Sequence, residues 1–235
     1  MKAFILAGGL GTRLRERFGD LPKPLAPIGG RPFLTLQLEW LATHHVRDAV
    51  VCAGYGADQV RAVLGDAHQG VRLTYSVESE PLGTGGALAL ARRFVDGPAL
   101  LLNGDTLAPC DPWALERERW EHGALGALAL YQVPDARARG RVECDDADRI
   151  VRFIEKDADH AGGAWVYGGV AALAPALWAR LAAGAHSLER EVLPALASEG
   201  TLIGHRAAGT FYDIGTPDDW ERAERRFGAA NLPPA

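Results

Sequence analysis

The sequence has 235 residues, 48% of them hydrophobic and 23% charged, a balance that excludes a disordered or fibrous chain and allows one sizeable buried core. A net charge of −5 without a long Lys/Arg run argues against nucleic acid or a membrane surface as partner, so any phosphate must be bound locally. Three scattered cysteines, Cys52, Cys110 and Cys144, lack metal-ligand spacing and suit a reducing compartment, and no segment approaches the roughly 18 apolar residues of a membrane span.

The first apolar run, Lys2–Ala7, reads as a strand and is too short for a signal-peptide core, so a cytoplasmic protein is expected. Further strands are predicted at Asp48–Ala53, Val71–Val77 and Ala99–Asn103. Helix-period stretches lie between them: Arg31–His45, with Phe33, Leu34, Leu36, Leu38 and Leu41 as its apolar positions, then Ala57–Leu64 and Thr84–Phe94. That alternation predicts strand–helix units on a mostly parallel sheet, whose ligands bind beyond the carboxyl ends of the strands. The second half is less regular. Strands are predicted at Gly126–Tyr131, Gly140–Cys144, Ile150–Glu155, Ala164–Leu173 and Gly209–Ile214, and helices at Pro175–Ala183, Leu188–Ala197 and Asp218–Phe227. Residues 229–235 read as a frayed tail, and no six-residue β-helix repeat follows the last helix.

The chemically suggestive residues cluster just after strand ends. Gly8-Gly9-Leu10-Gly11-Thr12 offers backbone N–H groups free of obstruction, and Arg13 adds a guanidinium fork suited to phosphate oxygens. The loop is no Walker motif, which requires Gly-Lys-Ser/Thr, and no dinucleotide fingerprint, because Leu14 stands where the third glycine belongs. A second bare-backbone loop, Glu78-Ser79-Glu80-Pro81-Leu82-Gly83-Thr84-Gly85-Gly86-Ala87, follows the third strand and opens a helix. The fourth strand ends in Asn103-Gly104-Asp105, with a carboxylate where the chain leaves the sheet. The His and Trp residues form no ligand set. Trp40, Trp113, Trp178 and Trp220 read as packing anchors, and His44-His45 as a basic helix end.

Gly8 to Leu14, followed after seven residues by Pro22-Lys23-Pro24, resembles the signature of the sugar-1-phosphate nucleotidyltransferases. The spacer departs from many members in carrying Glu16 and Phe18, and together with Glu-Pro-Leu-Gly-Thr-Gly-Gly-Ala it leans toward members resembling heptose-1-phosphate or mannose-1-phosphate guanylyltransferases. The resemblance spans nearly the whole chain. It implies a doubly wound, Rossmann-like α/β fold with a smaller sugar-binding lobe, organised as one domain over 1–228 whose nucleotide half is mainly 1–110 and whose sugar-phosphate half is mainly 111–228.

It further implies Arg13 and Lys23 as catalytic cations. The implied nucleotide contacts are Leu6, Ala7, Gly8, Gly9, Gly11, Thr12, Arg13, Glu78, Pro81, Gly83, Thr84, Asn103, Gly104 and Asp105. Lys23, Asn103, Gly140, Glu155, Lys156, Gly168 and Gly169 would contact the sugar phosphate. Asp105 and Asp213 would hold Mg²⁺, the one cofactor implied. The implied substrates are a nucleoside triphosphate, GTP first, and a sugar 1-phosphate. Heptose is the first choice, ahead of mannose with GTP and N-acetylmuramate with UTP. The oligomeric state stays open, a homodimer among the options. A nicotinamide oxidoreductase lacks its glycine fingerprint here, and an inactive nucleotide-sugar sensor would be expected to have lost Lys23 or a metal carboxylate, which this chain retains.

Overall fold

The computed structural model describes residues 1–9, 11–137, 139–154 and 162–228. Strand β1 (Lys2–Ala7) lies at the centre of a ten-stranded sheet. It pairs in parallel with β2 (Asp48–Ala53), which pairs in parallel with β3 (Val71–Val77), while β4 (Ala99–Asn103) runs parallel on its other side. All four keep their predicted bounds. For β1, β2 and β4 the reason is two-sided burial: in β1, Ala3, Ile5 and Ala7 enter one core and Phe4 the other, so these strands read as near-continuous apolar runs. Strand β3 alternates instead, with Val71 and Leu73 buried and Arg72 and Thr74 exposed.

The crossover helices cover those faces. Helix α1 (Phe33–Thr43) is shorter than the predicted Arg31–His45. At its start, Arg31–Pro32 is extended and pairs with Pro27–Ile28, and at its end His45 turns to φ 59°. Helix α2 (Ala57–Leu64) matches its prediction. The predicted Thr84–Phe94 helix is instead α3 (Gly83–Leu90) followed by a 3₁₀ turn, Ala91–Phe94. Sequence reading missed α4 (Pro112–Glu121), which is capped by the Asp111 side chain accepting from Trp113 N at 2.9 Å. Only Pro112, Leu115 and Arg119 of α4 are buried, so it carries no apolar stripe to betray it.

The second half adds β5 (Gly126–Val133), β6 (Arg141–Cys144), β7 (Ile150–Ile154), β8 (Ala164–Leu173) and β9 (Leu202–Arg206). Strand β8 joins the halves: it lies antiparallel to β4 through Val170–Leu173 and antiparallel to β5, and meets β6 at Val166. Its register shifts between Tyr167 and Ala171, around Gly168 and Gly169. The predicted Gly209–Ile214 strand is corrected. The full-length last strand is β9, parallel to β5, and only Tyr212–Asp213 pairs, with Thr106–Leu107.

The predicted helix Pro175–Ala183 is a 3₁₀ helix over Pro175–Arg180. Leu188–Ala197 divides into a π-helical turn, Leu188–Val192, and α5 (Leu193–Ser198), where Pro194 cannot supply an N–H to the helical ladder. The last helix, α6 (Pro217–Phe227), begins one residue earlier than predicted, behind the Thr216 cap. Among the described residues no helix is long and apolar enough to cross a membrane. The predicted end of β7 at Glu155 and the predicted tail, 229–235, lie outside the described residues.

Trp40, Trp178 and Trp220 are buried as packing residues, whereas Trp113 is 43% exposed and donates its indole N–H to His44 O at 2.8 Å. His44 is no cationic helix end: burial is the main cause that pushes its imidazole below the ordinary value, toward the neutral form. The three thiols are free, and burial pushes those of Cys52 and Cys110 up to about 12.

Candidate active site

The loops leaving β1, β3 and β4 converge beyond the carboxyl ends of the parallel strands and enclose a cavity of about 280 Å³. Its wall contains Leu6, Ala7, Gly8, Gly9, Glu78, Pro81, Gly83, Thr84, Asn103, Gly104, Asp105 and Lys23, all predicted positions, together with Pro24 and Ala87, which were not. Gly11 and Arg13 do not line it. Gly11 sits at φ 59° with the Lys23 Cβ 3.1 Å from where its own Cβ would stand, so it seats the lysine stem. Thr12 opens a 3₁₀ turn that carries Arg13 to the mouth of a second cavity.

Hydrogen bonds hold these walls in place. Gly104 N donates to Leu6 O at 2.9 Å, and the fully buried Gln37 amide of α1 donates to Asn103 O at 2.8 Å and Thr106 O at 2.6 Å. Gln37 thus fixes the exit of β4, a role hidden in sequence because a lone glutamine in an apolar helix carries no motif. Glu78 reaches across Gly8, where a Cβ would come within 2.8 Å of its Oε1, and accepts from Leu82 N at 3.2 Å. Partial burial raises its carboxyl above the ordinary range against the lowering effect of the Leu82 N–H.

The second cavity, about 1080 Å³, adjoins the first and shares Lys23, Gly83, Thr84, Asn103 and Asp105 with it. Of the residues predicted to contact the sugar phosphate, Gly140, Gly168 and Gly169 also line it. Gly169 has φ 77°, and a Cβ there would stand 3.2 Å from the Asn103 side chain, so glycine is needed both for conformation and for space. Glu155 and Lys156, the predicted sugar-phosphate pair, lie outside the described residues.

The two predicted metal carboxylates come together through a short antiparallel pairing: Asp213 sits opposite Thr106, and Ile214 N donates to Asp105 O at 2.9 Å. Each is also held by a cation, Asp105 by Lys23 and Asp213 by Arg139. Asp105 further accepts from Thr106 Oγ1 at 3.0 Å, and Asp213 from Gly215 N at 3.1 Å. Among the described residues no group of three His, Cys, Asp or Glu is placed to hold a metal, and Asp105 and Asp213 are the two predicted carboxylates this pairing brings together. That donor set fits Mg²⁺, which takes one or two carboxylates and completes its shell with phosphate oxygens and water.

Sequence reading missed most of the far wall. Arg139 packs over Phe211, 4.6 Å from the ring centroid, and lies 4.0 Å from Asp219. Burial alone would raise the Asp219 carboxyl, but Thr216, Asp213, Arg222 and Arg139 together hold it below the usual range. Tyr167, Ser187, Glu189 and Arg190 complete that wall. Arg137 and Arg139 stand just before the predicted Gly140 and were within reach of sequence, whereas Tyr167 and Glu189 lie in unmarked runs. The Tyr167 and Asn103 side chains each bury an oxygen, Oη and Oδ1, without a partner among the described residues.

A family model described as nucleotidyl transferase matches residues 2–228. A mannose-1-phosphate guanyltransferase of Aspergillus fumigatus is 36% identical over 94% of this chain and 62% of its own length. A D-glycero-alpha-D-manno-heptose 1-phosphate guanylyltransferase of Campylobacter jejuni is 38% identical over 66% of this chain and 69% of its own. The crystal structure of HddC from Yersinia pseudotuberculosis complexed with GMP-PN superposes with a TM-score of 0.81 at 27% identity, covering 96% of this chain and 99% of that one. This chain therefore spans about 62% of the length of the mannose-1-phosphate relatives it matches.

Proposed function

This chain belongs to the nucleotidyl transferase family, and from that premise we propose that it transfers a nucleotidyl group from a nucleoside triphosphate to a sugar 1-phosphate, releasing pyrophosphate. The observation that carries this reading is the pair of adjoining cavities with a shared wall. A direct transfer needs two ligands whose reacting ends meet, and Lys23, Asn103 and Asp105 stand where the two spaces join.

The smaller cavity takes the nucleotide and the larger one the sugar phosphate. An oxygen of the sugar phosphate attacks the α-phosphorus in line, and the bond to pyrophosphate breaks without a covalent enzyme intermediate. Charge builds on the α-phosphate and on the departing pyrophosphate, and Arg13 and Lys23 offset it. A phosphate at the junction competes with Asp105 for the Lys23 ammonium, so the ion pair stores the lysine in its working place. Asp105 and Asp213 would hold Mg²⁺, which when bound neutralises phosphate charge.

GTP is supported by Glu78. An ionised carboxylate only accepts hydrogen bonds, and guanine presents adjacent N1–H and N2–H donors, whereas uracil and thymine present a single N–H flanked by carbonyls. For the sugar we propose D-glycero-α-D-manno-heptose 1-phosphate. Mannose 1-phosphate is the second reading, favoured by the longer match to the mannose relatives, 94% of this chain against 66% for the heptose relative. N-acetylmuramate 1-phosphate with UTP is the third acceptor to include. Pyrophosphate release over a grid of triphosphates and sugar 1-phosphates tests the whole reading. Highest kcat/KM is expected for GTP with one of the two manno sugars, and preference for UTP or dTTP overturns the base assignment.

A further inference from the structure

The loop that walls the smaller cavity is stitched to the far wall of the larger one. Thr84 Oγ1 donates to Glu189 Oε2 at 2.6 Å and accepts from Leu188 N at 2.8 Å. Around that pair, Gly85 N donates to His186 O and His186 N donates to Leu82 O, both at 3.0 Å. Gly83, at φ 69°, lies so close that a Cβ would stand 2.6 Å from His186 O. Thr84 lines both cavities, and Glu189 lines the larger one from the π-helical turn. Sequence offers no hint of the contact, because 105 residues separate its partners.

Glu189 has capacity left for a ligand. Its Oε2 takes the Thr84 hydroxyl and, at 3.4 Å, that of Ser187, while no hydrogen bond is made to Oε1 among the described residues. The buried Tyr167 phenol, also in this wall, lacks a hydrogen-bond partner among the described residues, and burial first and the nearby Glu189 charge second push it well above its ordinary value. A hydroxyl-rich ligand in the larger cavity therefore meets a carboxylate already bound to the loop that forms the neighbouring site.

We infer that Glu189 is a positioning residue that couples the two substrate sites, so that a sugar 1-phosphate bound against the Ser187–Glu189 wall orders the Gly83–Thr84 loop and tightens nucleotide binding. The inference rests on the functional reading above. Linkage makes the effect reciprocal: the nucleotide must tighten the sugar phosphate by the same factor.

Calorimetric titration of the whole chain tests it, with the α,β-methylene analogue of GTP as an unreactive nucleotide and whichever manno sugar 1-phosphate the assay prefers. Each is titrated alone and with the other saturating. The wild-type protein should show a coupling factor of about fivefold or more. Glu189→Ala and Thr84→Val should bring that factor to about one, with folding checked by melting temperature, while Thr84→Ser, which keeps the hydroxyl, restores it. Rescue by Thr84→Ser at an unchanged melting temperature is a split that general damage to the fold would not produce. A wild-type protein that binds both ligands without coupling, or an undiminished factor in Glu189→Ala or Thr84→Val, overturns the inference alone. A wild-type protein that binds neither ligand overturns the functional reading and this inference with it.

Discussion

Lys23 and Asp105 neutralise each other at the junction of two cavities, with side-chain exposures of 14% and 35%, and this pairing makes neither residue a simple substitution. Removing the carboxylate leaves a half-buried ammonium without its partner, while removing the lysine leaves a carboxylate that repels an incoming phosphate. Arg13 is the cleaner probe, since it is exposed and makes no hydrogen bond or ion pair among the described residues. Arg13→Ala should lower kcat by about 10²–10³-fold with an unchanged melting temperature, as loss of one transition-state charge partner does. Steady-state kinetics beside a thermal melt check this.

Asp105→Ala should lower turnover at least as far while the protein stays folded, and a folded variant with near-normal rate would overturn the metal role. Glu78 supplies a pH signature. Its folded-state carboxyl titrates above the ordinary range, so protonation favours the fold: that contribution is full below the ordinary carboxylate value and is lost as pH rises through the raised one. Base binding has the opposite need, because the acceptor must be ionised. The KM for nucleotide should therefore rise as pH falls through the raised Glu78 value, and Glu78→Gln should abolish that dependence.

Among the elements, β8 carries the decisive irregularity. Its Gly168–Gly169 step shifts register and lets the strand serve β6 with one half and β4 with the other, which opens the larger cavity beside Asn103. Gly169→Ala forces a side chain into the left-handed region and crowds Asn103, at a cost of about 1–2 kcal/mol. Because Asn103 borders both cavities, the same change should raise the KM for sugar phosphate more than it lowers kcat. Urea unfolding and initial-rate measurements on one preparation separate the two effects. The short Tyr212–Asp213 pairing shows the reverse relation of length to importance. It is two residues long, yet it sets Asp213 beside Asp105, and α6 behind it is anchored by Trp220 donating to Pro27 O at 2.8 Å.

At the scale of the whole molecule, a parallel half and a more antiparallel half meet along β4 and β8, and the cavities lie at that seam. The four strands β1 to β4 and helix α2 were legible residue by residue, because two-sided burial writes apolar runs in β1, β2 and β4, one-sided burial writes the alternation of β3, and amphipathic burial writes a helical stripe. The smaller cavity was legible too: the Gly8, Glu78 and Asn103 loops each follow a strand that could be seen, and parallel topology delivers all such loops to one edge. Helix α4, strand β9 and the π-helical turn were not, since their burial depends on partners far along the chain.

The sequence by itself thus determined the parallel core and the glycine loops at its carboxyl edge, because these depend on local periodicity and glycine spacing, whereas Arg13, Lys23, Asp105 and Asp213 were assigned their roles only through the family resemblance. Only the tertiary structure decided that Asp105 pairs with Lys23, that Asp213 stands beside Asp105 and is held by Arg139, and that Glu189 is tied to Thr84. The physical reason is range. A hydrogen bond or ion pair acts over a few ångströms of space, and which residues come that close is settled by the packing of the whole sheet.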